Sequence, residues 1–138
     1  LWQLEHRKQL AIFDANADVT YLSSIVWSLV ISPDGQILAC GSADGTIKVW
    51  HLSTHKLLDV FHGHSGQVIS IVISPDGQTL ISGSADGTIK VWHLATGEQL
   101  CTLTSLASAS VVSVAICPQG KTLISGSVDG IISVWQQD

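Results

Sequence analysis

The sequence predicts an all-β chain built from three repeated antiparallel units, and three observations carry that expectation. First, residues 32–52 recur at residues 74–94 with 18 of 21 positions identical, and a looser copy runs from Cys117-Pro118-Gln119-Gly120 to Trp135. Second, each copy holds two turns, Pro-Asp-Gly and Ala-Asp-Gly in the two close copies, and each turn is followed by an apolar run of strand length. Proline presets φ for the first turn, aspartate bonds its own backbone and glycine accepts positive φ. Third, no stretch carries a convincing helical period, whereas the runs at 79–81 and 88–92 are rich in β-branched and aromatic residues and read as paired antiparallel strands.

In chain order, a polar connector at 5–8 leads to a short strand at 9–13, and 14–24 is a long variable loop. Strands follow at 25–31, 37–40 and 46–51, joined by the turns at Asp34-Gly35 and Asp44-Gly45. The second unit repeats this order with strands at 57–61, 68–73, 79–81 and 88–92, and the third with strands at 99–103, 111–116, 122–125 and 131–135. The run 68–73, Val-Ile-Ser-Ile-Val-Ile, is apolar on both faces, as a sheet enclosed between two others requires.

Composition narrows the function classes. With 46% apolar and 12% charged residues the chain is expected to fold rather than remain disordered. Its apolar runs are a few residues long, far short of a membrane span. A net charge of −5 without a basic cluster argues against nucleic acid, since phosphate binding needs grouped cations. Cys40, Cys101 and Cys117 have neither close pairing nor metal-ligand spacing and read as small buried apolar residues in a reducing compartment, so a cytoplasmic location is expected. No signal peptide is expected, and Leu1-Trp2-Gln3-Leu4 resembles Val91-Trp92-His93-Leu94, so residues 1–4 are expected to end a preceding repeat.

Repeat spacing decides the architecture. Trp2, Trp50, Trp92 and Trp135 stand 48, 42 and 43 residues apart. Together with Gly63-His64, Ser-Pro-Asp-Gly and Ser-Gly-Ser-Ala-Asp-Gly-Thr, this period resembles the WD40-repeat family over nearly the whole chain. The resemblance implies a partial β-propeller of three WD40-type four-stranded antiparallel blades, with the last blade lacking its outer strand. The chain is expected to form a single propeller segment over 1–138, with units at 8–52, 56–94 and 98–136. The aspartate that usually follows the family's tryptophan is replaced here by Gln3, His51, His93 and Gln136. Residues 9–13 supply the outer strand of a blade whose inner strands are missing, and the last blade ends without one. Gap and orphan are complementary, which implies further blades of the same chain or of other copies.

His64, Ser82 and Asp86 have the residue types of a hydrolase triad. No nucleophile elbow or oxyanion-hole motif accompanies them, and the resemblance assigns His64, Ser82, Asp86 and Trp92 to a structural tetrad that pins the Asp-Gly turn. The matching turn and tryptophan positions elsewhere are Asp44, Asp129, Trp50 and Trp135, while Leu22 and Ala107 replace the histidine and Cys40 replaces the serine. His62 and His64 flank a glycine but lack further ligands, so no metal and no cofactor is expected. Lys48 and Lys90 read as solvated charges on a strand edge.

Trp27 is the one tryptophan outside the repeat position; Ile69 and Val112 fill its slot in the other units. By the resemblance this slot, the position two residues earlier (Ile25, Gln67, Ser110) and the residue before the turn aspartate (Ala43, Ala85, Val128) open onto a partner-binding face. The alternative for Trp27 is packing between neighbouring blades. The expected function is a non-catalytic scaffold for other proteins or peptides, with no nucleic acid and no membrane partner. The alternatives are a small-ligand or enzymatic propeller site and a purely structural repeat array.

Overall fold

The computed structural model describes Gln9 and residues 11–14, 25–105 and 107–137. Among these residues eleven strands form three antiparallel sheets, two of four strands and one of three. The first sheet runs in order β1 (Val26–Ile31), β2 (Ile37–Ser42), β3 (Ile47–His51) and β4 (Leu57–Phe61). The second holds β5 (Val68–Ile73), β6 (Thr79–Ser84), β7 (Thr88–His93) and β8 (Gln99–Thr104). The third holds, among the described residues, β9 (Val111–Ile116), β10 (Thr122–Ser127) and β11 (Ile132–Gln136), in order β11-β10-β9. The described residues are thus all-β, and their open antiparallel sheets are arranged as expected of blades from a partial propeller. The hydrogen-bonded sheets cut across the sequence units, because β4 and β8 each belong by sequence to the following unit yet close the preceding sheet.

The turns form as their residues dictate. Ser74 Oγ donates to Asp76 at 2.5 Å and accepts the Thr79 amide at 3.0 Å, while Asp76 accepts the Gln78 amide at 3.0 Å. Ser32 and Asp34 repeat the arrangement. In the third sheet Cys117 and Gln119 replace that pair, and Cys117 Sγ takes the Thr122 amide at 3.2 Å.

Neighbouring sheets pack flank to flank. Val68, Ile71 and Ile73 of β5 are buried in one cluster with Ala39, Ile47 and Val49 of the first sheet. One sheet on, Val111 and Val114 of β9 are buried with Ile81 and Ile89. Each fully buried side chain of this size contributes about 1.5–3 kcal/mol. The inner strands are also bonded through serine: Ser28 Oγ accepts the Ile71 amide and Ser70 Oγ the Val114 amide, each at 3.1 Å. Close approach needs a gap in the facing strand, and Gly83 provides it. A Cβ there would lie 2.7 Å from Val111 Cγ1 and 3.1 Å from Val114 Cγ1.

Three expectations are corrected. Gln9 and residues 11–13 form no strand; Leu10 lies outside the described residues. A strand needs a ladder partner, and none of the described strands pairs with this segment. Lys48 is buried, with its ammonium 3.1 Å from Asp44 Oδ2, and Lys90 Nζ donates to Thr102 Oγ1 at 3.0 Å. Both sit on third strands that β4 and β8 cover, so neither marks an edge. Of the cysteines only Cys40 is buried; Cys101 is exposed and Cys117 partly so, since the first lies on the outer strand β8 and the second in the turn before β10.

Gly83→Val is expected to destabilise the chain by about 1–3 kcal/mol through overpacking against Val111 and Val114, read as a lowered urea midpoint. An unchanged midpoint would show that the sheets are not held at this separation.

Candidate functional site

Two constellations stand out, a polar chain inside the second sheet and a row of residues along one end of all three. In the first, strand β6 carries Ser82, the β6–β7 turn carries Asp86, β7 carries Trp92, and the connection before β5 carries His64. His64 Nδ1 lies 2.8 Å from Asp86 Oδ2 and His64 Nε2 lies 2.7 Å from Ser82 Oγ. Trp92 Nε1 donates to the same Ser82 Oγ at 2.9 Å. The pattern is satisfied by a neutral imidazole that donates from Nδ1 and accepts the serine proton at Nε2.

Further groups converge on Asp86. Its carboxylate accepts the Ser65 amide at 3.1 Å, the Thr88 amide at 2.9 Å and the Thr88 hydroxyl at 2.6 Å. Sequence reasoning missed Thr88 and Ser65, although the recurring Asp-Gly-Thr triplet was the available signal: Thr46 bonds Asp44 in the same way, at 2.9 and 2.6 Å. Gly63 precedes His64 because a Cβ there would meet the Trp92 ring at 2.8 Å. The side chain of His64 is fully buried, that of Asp86 nearly so, and Ser82 is 0% exposed. Such a serine has the hydrogen bonds of a nucleophile but no surface on which to receive a substrate.

Burial pushes the His64 imidazole below its ordinary value of 6.5, against the hydrogen bond and charge of Asp86, which pull it up; Lys90 lowers it further. For Asp86 burial works upward, but bonds from Thr88 and His64 outweigh it and hold the carboxyl below 3.8.

The other sheets hold partial versions. Trp135 Nε1 donates to Ser125 Oγ at 3.0 Å, and Asp129 accepts the Ser127 hydroxyl and, at 3.2 Å, the Ile131 amide. Ile131 stands where Thr88 does, and Ala107 is exposed. In the first sheet Cys40 and Trp50 are buried together with Phe13 and Leu38 against them, and Asp44 pairs with Lys48. Leu22 lies outside the described residues.

The second constellation is the row of strand ends. Ala43 N donates to Ile25 O at 2.8 Å, Ala85 N to Gln67 O at 2.9 Å and Val128 N to Ser110 O at 3.0 Å, so the nominated residues close the same end of each inner hairpin. Ser110 Oγ also donates to Ala85 O at 3.0 Å, tying one sheet's end to the next. Trp27, Ile69 and Val112 each occupy the extra position of a β-bulge, skipped by the pairing of the inner strand with its neighbour. A bulge re-aims its side chain. Trp27 is 48% exposed, and Ile69 stays partly exposed even in the enclosed sheet, where Val68 and Ile71 on either side are buried. Ile25, Gln67, Ala85, Val112 and Val128 are exposed, Ala43 and Ser110 partly so.

Asp86→Ala is expected to lower the urea midpoint more than Asp129→Ala. The first strands the buried His64 and loses the Ser65 and Thr88 bonds, at about 1–3 kcal/mol for each buried group left unpaired; equal shifts would contradict this. Stability is also expected to fall with pH. The unfolded chain takes up a proton on His64 near 6.5, before the folded chain does, so the stabilisation is complete above that value and is lost as pH drops below it. Urea midpoints at about pH 7.5 and 5.5 should diverge in the wild type and much less in His64→Gln. Equal divergence in both would remove His64 as the cause.

The comparisons with known proteins agree with this geometry. The sequence pattern of the family described as "WD domain, G-beta repeat" matches residues 8–51, 55–93 and 97–136. A WD repeat-containing protein 3 homolog of Dictyostelium discoideum is 40% identical over 55 residues, which is 40% of this chain and 5% of that protein. WD repeat-containing protein VIP3 of Arabidopsis thaliana is 45% identical over 49 residues, 36% of this chain and 15% of that protein. Eukaryotic translation initiation factor 3 subunit I of Aspergillus niger is 42% identical over 36 residues, 26% of this chain and 11% of that protein. The matches thus span 5–15% of these relatives' lengths. With three repeats matched along most of its length, folded into the sheets described above, the chain belongs to the WD40 repeat family.

Proposed function

We propose that the chain is a non-catalytic platform that binds other proteins or peptides through the strand-end row that carries Trp27. The observation that carries this reading is an aromatic side chain held half-exposed on a bulge of the first sheet, in a row whose other exposed members include Ile25, Val112 and Val128 and that contains no charged residue. Burying a tryptophan among small and aliphatic neighbours is how interface hot spots gain energy. A net charge of −5 favours a protein or peptide over nucleic acid. In this reading His64, Ser82, Asp86 and Trp92 serve structure: they satisfy buried polar groups and fix the turn that carries Ala85 into the row. Free thiols on Cys40, Cys101 and Cys117 fit a reducing, cytoplasmic setting. Among the described residues no helix is long and apolar enough to cross a membrane.

The test is affinity capture from the native source with wild type and Trp27→Ala side by side. A partner retained by the wild type is expected to be lost from the variant, with a hot-spot cost of about 2 kcal/mol or more in binding. The urea midpoint should move little, since half of the ring is already in water. Equal recovery by both proteins would overturn the assignment of the face.

A further inference from the structure

We propose that His64 is a pH-sensitive latch beneath the strand-end row: when its imidazole takes up a proton, the loop at 62–66 loosens and frees the two turns that present Ala43 and Ala85. Release of a bound partner on acidification rests on reading the row as a binding face. The latch itself does not, and its test needs no partner.

The loop is a wedge between the first two sheets. On one side it carries the Asp44-Gly45 turn: a Cβ on Gly45 would stand 3.0 Å from both His64 O and Gly66 O. On the other side it presses on the Asp86 turn: a Cβ on Gly66 would stand 2.8 Å from Asp86 N and 3.3 Å from the carbonyl carbon of Ala85. Just past the loop, Gln67 O accepts the Ala85 amide at 2.9 Å. Ala43 and Ala85 immediately precede the two turn aspartates, so two positions of the row lean on one loop. His62 and Ser65 are exposed, whereas the side chain of His64 is fully buried and anchors the segment. Its ring spans Asp86 and Ser82, and the Ser65 amide bonds the same oxygen of Asp86.

A proton undoes this anchor in a definite way. The neutral ring accepts the Ser82 hydroxyl at Nε2, and protonation turns that acceptor into a donor. Ser82 Oγ already accepts Trp92 Nε1–H, so its own proton must turn to Lys90 O, 3.5 Å away. That is well beyond the length of a good O–H···O bond. The charged groups around the ring are few. Asp86, in the β6–β7 turn, favours the imidazolium, and Lys90, on β7, opposes it. From the first sheet comes Asp44, paired with Lys48 Nζ at 3.1 Å. Strand β8 brings the uncharged Gln99 against Gly63, and the loop before β9 brings the uncharged Ser108 against Gly87. Burial outweighs the pull of Asp86 and holds the imidazole below its ordinary value, so the charged form is the strained one.

The test is a nuclear magnetic resonance titration of the chain from about pH 7.5 to 5, in a His62→Gln background that removes the exposed neighbour's charge. The Ser65, Ala43 and Ala85 amides are expected to move with the midpoint of the His64 ring. The Gly77 amide, bonded to Ser74 O at the far end of the second sheet, should stay in place. Hydrogen exchange, corrected for its intrinsic pH dependence, should show Ser65 and Ala85 losing protection ahead of Gly77. Adding His64→Gln should abolish the common movement. A His64 ring still neutral at the acid end, or still amides while it titrates, would overturn the proposal. So would Gly77 moving in step, which marks general unfolding, or movement that persists in His64→Gln. Should that variant fail to fold, the midpoints of the parent chain decide: a His64 midpoint different from that of Ala43 and Ala85 rejects the latch.

Discussion

Apolar contact between the flanks of neighbouring sheets is the constraint on which the other features depend. Strand β5 is pressed from one side by Ala39, Ile47 and Val49, also lies beside β9, and is hydrogen-bonded along its edge to β6. A strand in that position cannot alternate apolar with polar residues, so its few polar side chains must be short and bonded, as Ser70 is to the Val114 amide. The same contact sets the spacing that leaves room only for hydrogen at Gly41 and Gly83. Dispersion falls away steeply once such surfaces separate, so a one-methyl error at the glycine is felt along the whole flank.

Within that frame the three sheets hold their Asp-Gly turns by different means. The second uses a buried chain of histidine, serine and tryptophan, with threonine and a backbone amide completing the aspartate's shell. The first has Cys40 at the serine position, where Sγ lies 3.7 Å from Ser42 Oγ, and its turn aspartate is held by Thr46 and a buried lysine instead. The third keeps the serine–tryptophan bond but has isoleucine in place of the threonine. One backbone thus tolerates a network, an ion pair or a short local turn at the same place, because the burial of the flanks is shared by all three.

Much of this was legible in the sequence, for reasons that differ from residue to residue. The strands after Pro-Asp-Gly and Asp-Gly showed themselves because the turn residues fix where each begins, and three copies remove the ambiguity of one. Their ends ran one to three residues further than expected, as at Ser82-Gly83-Ser84, since glycine and serine have weak strand preference and only the facing strand reveals that they pair. The environment of Lys48 was illegible because the partner that neutralises it lies across a turn and the strand that buries it comes from the next repeat. The bulges at Trp27, Ile69 and Val112 were equally hidden: where both faces are apolar, one extra residue leaves no break in the pattern.

The offset between repeat and sheet has a consequence for how such a chain can change over generations. Since β4 and β8 lie in one unit by sequence and in the preceding sheet by hydrogen bonding, consecutive units are interlocked rather than merely adjacent. A duplication of about 42 residues inserts a strand that completes the sheet before it and an inner hairpin that awaits the strand after it, so every junction created is of a kind the molecule already contains. Gain or loss of a whole unit therefore creates no foreign contact, whereas a shift of a few residues would misplace each glycine gap downstream. Near-identity of the blocks at 32–52 and 74–94 is what recent copying under that tolerance would leave.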